Sequence, residues 1–392
     1  MKKRMLIINL GWEQRPLIDR IVARNEFDLF GIHHSDDSSV PPVFKDIFLA
    51  DFRDLASILD YAEKIKPNYV ISDECDYSLL AQAAIAEKLR LPGPSLHSAQ
   101  LSNNKYLQRE FSKNKGILIP NYALCLSVKS AENFAEKNGY PFILKPTDNR
   151  GSIGVVKVNR PSELKESFFI AMSNSHSRCV LAEEFIEGEQ ITIDGYAFPG
   201  VGCRSVALGS KVMCKNDTQV ALGISYPGNI EKSLYDTAMQ YNADVNNKLG
   251  YLFGMTHSEY MIKGGELYLI ESTNRGGGVF TSALVAPAAS NIDLLSQYIS
   301  DCSGNNSTNY HDPEQNLVVL QFFSFPPGRI KSILGFEDLN NDSNVIKAKL
   351  MVKPGEEINA ISSDANRHGY VIARGSPNEV DSLLSKVEIE YA

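Results

Sequence analysis

The stretch that most restricts the fold is Gly139 to Val155, GYPFILKPTDNRGSIGV. Pro141 to Leu144 reads as a short strand framed by Pro141 and Pro146, delivering Lys145 at its end. A loop with Asp148, Asn149, Arg150, Gly151, Ser152 and Gly154 follows, and then a second strand, Val155 to Val158. Gly151 and Gly154 let backbone N–H groups approach a ligand closely, and such groups in a turn form a nest for anions. A phosphate between this loop and Lys145 is the natural use of the arrangement. Taken alone the stretch is also compatible with a plain hairpin, so the rest of the chain decides.

At 392 residues the chain is too long for one ordinary core, and two or three domains are expected. With 43% hydrophobic and 22% charged residues it has a globular composition. A net charge of −8 argues against a nucleic-acid partner, which would need a basic face. No apolar run approaches a membrane span, and Met5 to Leu10 is too short for a signal segment. The six cysteines (Cys75, Cys125, Cys179, Cys203, Cys214 and Cys302) include no CxxC pair, which fits reduced thiols in a cytoplasmic protein. Asn216-Asp217-Thr218 and Asn306-Ser307-Thr308 match a glycosylation pattern that carries no meaning without secretion.

Residues 1 to about 95 alternate strand and helix patterns: strands at Met5–Leu10, Phe27–Ile32 and Tyr69–Ser72, helices at Pro16–Ala23, Asp54–Ile65 and Ser78–Leu89. Such alternation implies a parallel sheet with crossover helices. The first strand is followed by Gly11-Trp12-Glu13-Gln14-Arg15 instead of GxGxxG, which disfavours a dinucleotide site, and no GxxxxGK[ST] occurs. Lys105 lies in the first turn of a helix that ends before Gly116, a position where its charge opposes the helix dipole and suits a ligand anion. Helices starting at Ser130 and Ser162 flank the opening stretch. Leu181 to Gln190, LAEEFIEGEQ, is an apolar strand that turns acidic at Phe185-Ile186 and offers a flat slot for an adenine edge.

Met255 to Gly278, MTHSEYMIKGGELYLIESTNRGGG, gives two strands around Gly264-Gly265, with Glu259 on one and Glu271 on the other. A two-residue loop would put the carboxylates on opposite faces, and a three-residue loop Gly264-Gly265-Glu266 would place them directly across from each other. Two facing carboxylates need a cation between them, and oxygen ligands near phosphates suit Mg²⁺. Arg275 and three glycines follow as an anion site, and His257 shares the face of Glu259. The last 80 residues read as an antiparallel closing module with strands at Leu317–Phe323 and Tyr370–Ala373 and a helix at Pro377–Val387.

In order, the chain presents a parallel α/β region, a lysine-opened helix, LKP with a Gly-Ser loop, EEFIEGE, a strand pair with two glutamates, and NRGGG. This order resembles the ATP-grasp superfamily, and within it the carboxylate–amine ligases of the L-amino-acid ligase type, over nearly the whole chain, including the GYVIARG segment. The resemblance implies an ATP-grasp fold of mixed α/β and α+β class. An N-terminal parallel α/β (pre-ATP-grasp) domain would span 1–95, and the ATP-grasp domain 96–310 with a lid subdomain at about 117–186. A C-terminal antiparallel α+β module would span 311–392.

By position, Lys105 and Lys145 resemble the phosphate lysines, and Arg150, Gly151, Ser152 and Gly154 the lid loop. Glu183, Glu184, Phe185 and Ile186 resemble the adenine hinge, with the ribose contact open between Glu189 and Gln190. Glu259 and Glu271 resemble the Mg²⁺ ligands (Mn²⁺ could substitute). The family's Glu-x-Asn-x-Arg is here Glu271-Ser272-Thr273-Asn274-Arg275, so either Thr273 or Asn274 completes the metal shell. Arg275 resembles the arginine that steadies an acyl-phosphate, with His257, Gly276 and Gly277 as further substrate candidates. Substrate choice is expected in loops such as Cys203–Tyr226 and Gly276–Pro287. The implied reaction activates a carboxylate with ATP and joins it to an amine, releasing ADP and phosphate. A carboxylase or formyl-transfer enzyme acting on a nucleotide precursor, and a nucleotide-binding protein without turnover, stay open as alternatives. Small-molecule carboxylate and amine partners and a homodimer accord with the family.

Overall fold

The computed structural model describes residues 2–37, 39–213, 220–305 and 310–392. Both Asn-x-Thr patterns, Cys214 and the middle of the Cys203–Tyr226 loop lie outside the described residues.

The N-terminal segment forms a four-stranded sheet in the spatial order Phe44–Leu49, Phe27–His33, Lys3–Ile8, Tyr69–Ile71, with every pairing parallel. Met5 to Ile8 are fully buried, as expected of a parallel strand covered by helices on both faces. The helices Arg15–Arg24, Leu55–Ile65 and Asp76–Leu89 supply that cover. The strand Phe44–Leu49 was not anticipated: it is the edge strand, mostly exposed, and its FKDIFL sequence lacks a buried apolar run. Leu55–Ile65 starts as expected at Asp54, whose carboxylate accepts from the Ser57 N–H.

Eight antiparallel strands form the central sheet in the order Glu266–Thr273, Gly254–Lys263, Glu189–Phe198, Gly202–Met213, Ala221–Tyr226, Val318–Phe322, Gly369–Arg374, Val345–Leu350. Three of these come from beyond residue 310, so the antiparallel module expected at the C-terminus continues the central sheet. Four further strands, Tyr122–Cys125, Val180–Glu184, Phe142–Pro146 and Val156–Val158, make a separate sheet with the helices Val128–Asn138 and Pro161–Ser173 on it. The first helix starts earlier than expected: Ser127 is its cap, and Ser130 is the reciprocal partner in a capping box. Lys145 lies within its strand, one residue before the end.

Where the chain passes from this small sheet into the central one, Gly188 runs against the neighbouring strand. A Cβ there would stand 2.0 Å from the Ile262 carbonyl oxygen, a backbone atom that cannot swing aside. Gly188→Ala is therefore expected to destabilise the fold by about 1–3 kcal/mol, the usual cost of overpacking. Urea unfolding measures this, and an unchanged midpoint contradicts the close crossing.

Candidate active site

The hairpin carrying Glu259 and Glu271 takes the shorter of the two loops left open by the sequence, yet it brings the two carboxylates face to face. Lys263 pairs with Glu266 across a two-residue loop of Gly264 and Gly265, both at positive φ. That loop alone would place the glutamates on opposite faces. Beyond the pair Tyr260–Leu269 the register shifts, Ile270 bulges, and Glu259 stands directly opposite Glu271. His257 and Thr273 form the next pair of that parity.

The bulge is held by the helix Lys105–Asn114. The Arg109 guanidinium donates to the Ile270 carbonyl, and Gln108 grips Ser272, two residues on, at both ends: its amide N–H donates to Ser272 O (2.5 Å) and its amide oxygen accepts from Ser272 N (3.0 Å). Lys105, one turn before Arg109, places its Nζ 2.7 Å from Glu271 Oε1 and 2.7 Å from Asn149 O. Arg109 is fully buried and also pairs with Glu183 at 2.8 Å, while Lys145 Nζ meets the other Glu183 oxygen at 2.6 Å. Burial pushes the Lys145 ammonium below its ordinary value, with Arg109 and Lys105 adding to the effect against Glu183. Burial works to raise Glu183, but Arg109 and Lys145 hold it below the usual carboxylate range. The Glu183 side chain is thus engaged in this buried ion group.

A cleft of about 530 Å³ opens over the glutamate pair. Arg150, Gly151, Ser152, Gln190, His257, Glu259, Glu271, Thr273 and Arg275 line it. Glu259 is paired with Lys211 at 2.5 Å and accepts from the Gln190 amide at 2.8 Å. Burial works to raise Glu259, but Lys211 and His257 hold it far below the usual range. His257 Nδ1 stands 2.8 Å from Asp194. Burial favours neutral imidazole there, yet Asp194 and Glu259 raise its pKa from 6.5 to about 9.

Other expected residues fall elsewhere. Asn274 is turned away from the cleft, its amide donating to the carbonyls of Phe253 (2.9 Å) and Met255 (3.0 Å), because strand alternation puts Thr273 on the cleft face. Glu189 faces away as well and accepts from Ser210, whereas Gln190 faces Glu259. Glu184 accepts from the Asn121 side chain at 2.8 Å and gives its own N–H to Asn121 O. Phe185 carries Lys157 over its ring at 4.0 Å, and Ile186 is buried. Gly154 packs against Asn174 and Pro146, Gly276 against Ser282 and Asp73, and Gly277 against His257, so these glycines serve close packing.

Residues that carried no sequence signal complete the site. Arg275 makes a two-pronged pair with Asp76 (2.9 and 3.0 Å), and Asp76 also accepts from Thr273 Oγ1 at 3.1 Å. Although burial opposes it, Asp76 raises the Arg275 pKa further, fixing the guanidinium charged. Asp73 accepts from Gly276 N at 2.8 Å and from Ser282 at 2.8 Å. The one clue to Asp73–Asp76 was their place at the carboxyl end of a parallel strand, where open α/β sheets bind ligands. Lys211 and Arg109 lie in regular elements with no motif around them.

Glu259, Glu271 and the Thr273 hydroxyl form a hard-oxygen set suited to Mg²⁺, which takes one or two carboxylates plus phosphate and water oxygens. Among the described residues there is no group of three or more His, Cys, Asp or Glu that could hold a metal ion. No helix among them is long and apolar enough to cross a membrane.

Comparison with known proteins agrees with this architecture. Residues 138–283 match the ATP-grasp domain family, and residues 321–390 match the L-amino acid ligase C-terminal domain 2. The chain has the ATP-grasp fold. The crystal structure of an L-amino acid ligase from Bacillus licheniformis superposes with a TM-score of 0.86 at 18% identity, covering 100% of this chain and 99% of that one. The L-arginine-specific L-amino acid ligase of Bacillus subtilis is 22% identical over 371 residues, 88% of this chain and 84% of its own length. An uncharacterized protein, y4rH of Sinorhizobium fredii, is 24% identical over 307 residues; the match spans 77% of this chain but only 63% of that protein.

Two outcomes follow. Asp76→Ala leaves the Arg275 guanidinium buried without its counter-charge and is expected to cost about 3–5 kcal/mol. Adding Arg275→Ala should recover part of the loss, which a double-mutant cycle on unfolding free energy measures. For His257, whose folded pKa is raised, the stabilisation is complete below about 6.5 and is lost as pH rises through about 9. In metal-free buffer, the stability gap between wild type and His257→Gln should therefore narrow between pH 7 and 10; a constant gap contradicts the Asp194 pairing.

Proposed function

We propose that the chain is an ATP-dependent ligase joining a small carboxylate to a small amine. The observation that carries this reading is the register of the hairpin: Glu259 faces Glu271, with Lys105, Lys211, Arg150 and Arg275 around the same cleft. The similarity to L-amino acid ligases over nearly the full chain supports it.

In this reading Lys105, Lys145 and Lys211 bind the phosphates of ATP, and the loop 150–154 closes over them. Glu259, Glu271 and Thr273 would hold Mg²⁺, which supplies charge neutralisation at the transferring phosphate when bound. Gln190, beside Glu259, is the better placed of the two ribose candidates. The carboxylate substrate attacks the γ-phosphate, giving an acyl-phosphate and ADP. The amine then attacks the acyl carbon, phosphate leaves with the C–O bond electrons, and the amine loses a proton. Arg275, locked by Asp76, presents a fixed positive charge to the acyl-phosphate and to the oxyanion that follows. The chemistry asks for positioning and charge more than for a protein nucleophile. Closure of the loop excludes water from the activated acyl group.

ADP and phosphate release from ATP and Mg²⁺ tests the reading, across paired amino acids and small carboxylates with bicarbonate and formate as controls. ADP formed only with a carboxylate–amine pair is the expected result. Release driven by bicarbonate or formate alone would favour a carboxylase or formyl-transfer enzyme, and AMP would exclude the acyl-phosphate. Lys105→Met should weaken ATP by about 10- to 100-fold, the worth of a charged hydrogen bond. Equilibrium binding measures that loss, and unchanged affinity removes Lys105 from the phosphate site.

A further inference from the structure

The loop 148–154 carries Arg150 over the cleft, and a set of polar contacts outside the cleft holds it there. The first of these lie within its own part of the chain. The Asp148 carboxylate accepts from Ser175 Oγ (2.8 Å), His176 N (3.1 Å) and Ser177 N (2.7 Å), and the Asn149 amide donates to Asn174 O at 2.7 Å. The loop and the turn 174–177 are thereby tied into one unit, from which the His176 side chain reaches the N-terminal segment. Among the described residues, the apolar cluster of the small sheet draws only on residues 123–182. What docks this unit on the N-terminal segment is therefore polar.

The receiving surface is Tyr77, the second residue of the helix Asp76–Leu89, together with Arg53. Tyr77 Oη stands 2.8 Å from His176 Nε2 and 3.3 Å from the Asp148 carbonyl oxygen, and Arg53 Nη1 stands 2.8 Å from His176 Nδ1. The proton positions follow from the chemistry of the partners. A guanidinium only donates, so Nδ1 accepts; Nε2 then carries the proton and donates to the tyrosine oxygen, whose own O–H donates to Asp148 O. The Asp51 carboxylate holds Arg53 in place at 2.6 Å, and the guanidinium keeps that carboxyl below its usual range. Asp51, Arg53, His176, Tyr77 and Asp148 thus form one directed chain of hydrogen bonds that needs a neutral imidazole. The Tyr77 ring adds a second hold. The Arg150 guanidinium lies over it, 4.9 Å from the ring centre, and Arg150 Nη1 reaches Cys75 Sγ at 2.8 Å. On the C-terminal module, Asp364 N donates to Gly151 O at 3.4 Å.

We propose that Tyr77 and His176 are positioning residues: they form a catch that holds the loop 148–154 against the N-terminal segment and so fixes Arg150 over the cleft. Neither lines the cleft, and both act through the loop. Consecutive residues of one helical turn thereby set two of the cleft's arginines, since Asp76 pairs with Arg275 and Tyr77 supports Arg150. A catch made of a few polar contacts can open without unfolding either segment. A fixed cation at position 176 would face Arg53 and remove the acceptor, which opens the catch. The proposal deepens the ligase reading by naming what positions its loop, and it rests on that reading only for the consequence in turnover.

Cleavage of the full chain after Arg150 by an arginine-specific protease tests it, because the guanidinium must leave Tyr77 and Cys75 to enter the protease. The fragment ending at Arg150 is followed by mass spectrometry, and cleavage after Arg329, which lies in the strand Gly328–Leu334, reports opening of the fold as a whole. Tyr77→Ala and His176→Lys should each speed cleavage after Arg150 by about tenfold or more, and Tyr77→Phe by about threefold, with cleavage after Arg329 unchanged. His176→Gln, whose amide offers both an acceptor and a donor, should stay close to wild type. An unchanged rate in Tyr77→Ala, or equal rates in His176→Gln and His176→Lys, overturns the catch. Equal acceleration after Arg150 and Arg329 also overturns it, since that marks a general loss of stability. Should Tyr77→Ala fail to fold, Tyr77→Phe and the two His176 variants carry the test. In turnover with a carboxylate–amine pair, the variants with a freed loop should release more ADP per amide formed than wild type, because water reaches the acyl group. An unchanged ratio overturns the positioning role. No ADP release from wild type with any pair overturns the ligase reading instead, and the cleavage rates then decide the catch alone.

Discussion

The site depends on one fully buried arginine. Arg109 reaches from its helix to the carbonyl of the bulged Ile270 and to Glu183 in the small sheet. A buried guanidinium is tolerated only where its charge is balanced, which Glu183 does, while the Ile270 carbonyl takes one of its donors. The bulge in turn corrects the register that the Gly264-Gly265 turn would otherwise impose, and so brings Glu259 across from Glu271. Without the extra residue, the same hairpin would point one carboxylate into the cleft and the other away from it.

The same economy recurs around the cleft. Lys105 and Arg109, four residues apart on one helical face, address Glu271 and Glu183. Asp76, at the first position of its helix, fixes Arg275 from the N-terminal sheet. Three regions distant in sequence therefore meet through ion pairs in addition to the apolar cluster that joins the N-terminal sheet to the central one. The Arg109–Glu183 pair is fully buried and therefore costly if half of it is removed. This places the charged groups before any substrate arrives, which is the property a phosphoryl-transfer site needs most.

Much of this was legible in the sequence where the signal was local. The Lys145 strand with its glycine loop, the two glutamates beside Gly264-Gly265, and Arg275 before three glycines are short motifs whose chemistry shows in their own residues. The alternation of the first 95 residues gave the parallel sheet for the same reason. What could not be read was contact between distant segments. Arg109, Lys211 and Asp76 sit in patterns indistinguishable from solvated helix or strand positions. The bulge at Ile270 needs Arg109 to make sense, so the sequence left a two-residue and a three-residue loop open and offered no way for the shorter one to bring the glutamates together. The choice between Thr273 and Asn274 likewise waited on that register, which turns Asn274 toward the carbonyls of Phe253 and Met255.

The central claim is that the bulged hairpin forms a cation site shared with nucleotide phosphates. Anomalous diffraction from crystals grown with Mn²⁺ and ADP tests it most directly. The account predicts a manganese peak between the Glu259 and Glu271 carboxylates, in contact with phosphate oxygens. A bound nucleotide with manganese elsewhere, or with the two glutamates still closed on Lys211 and Lys105, would contradict it.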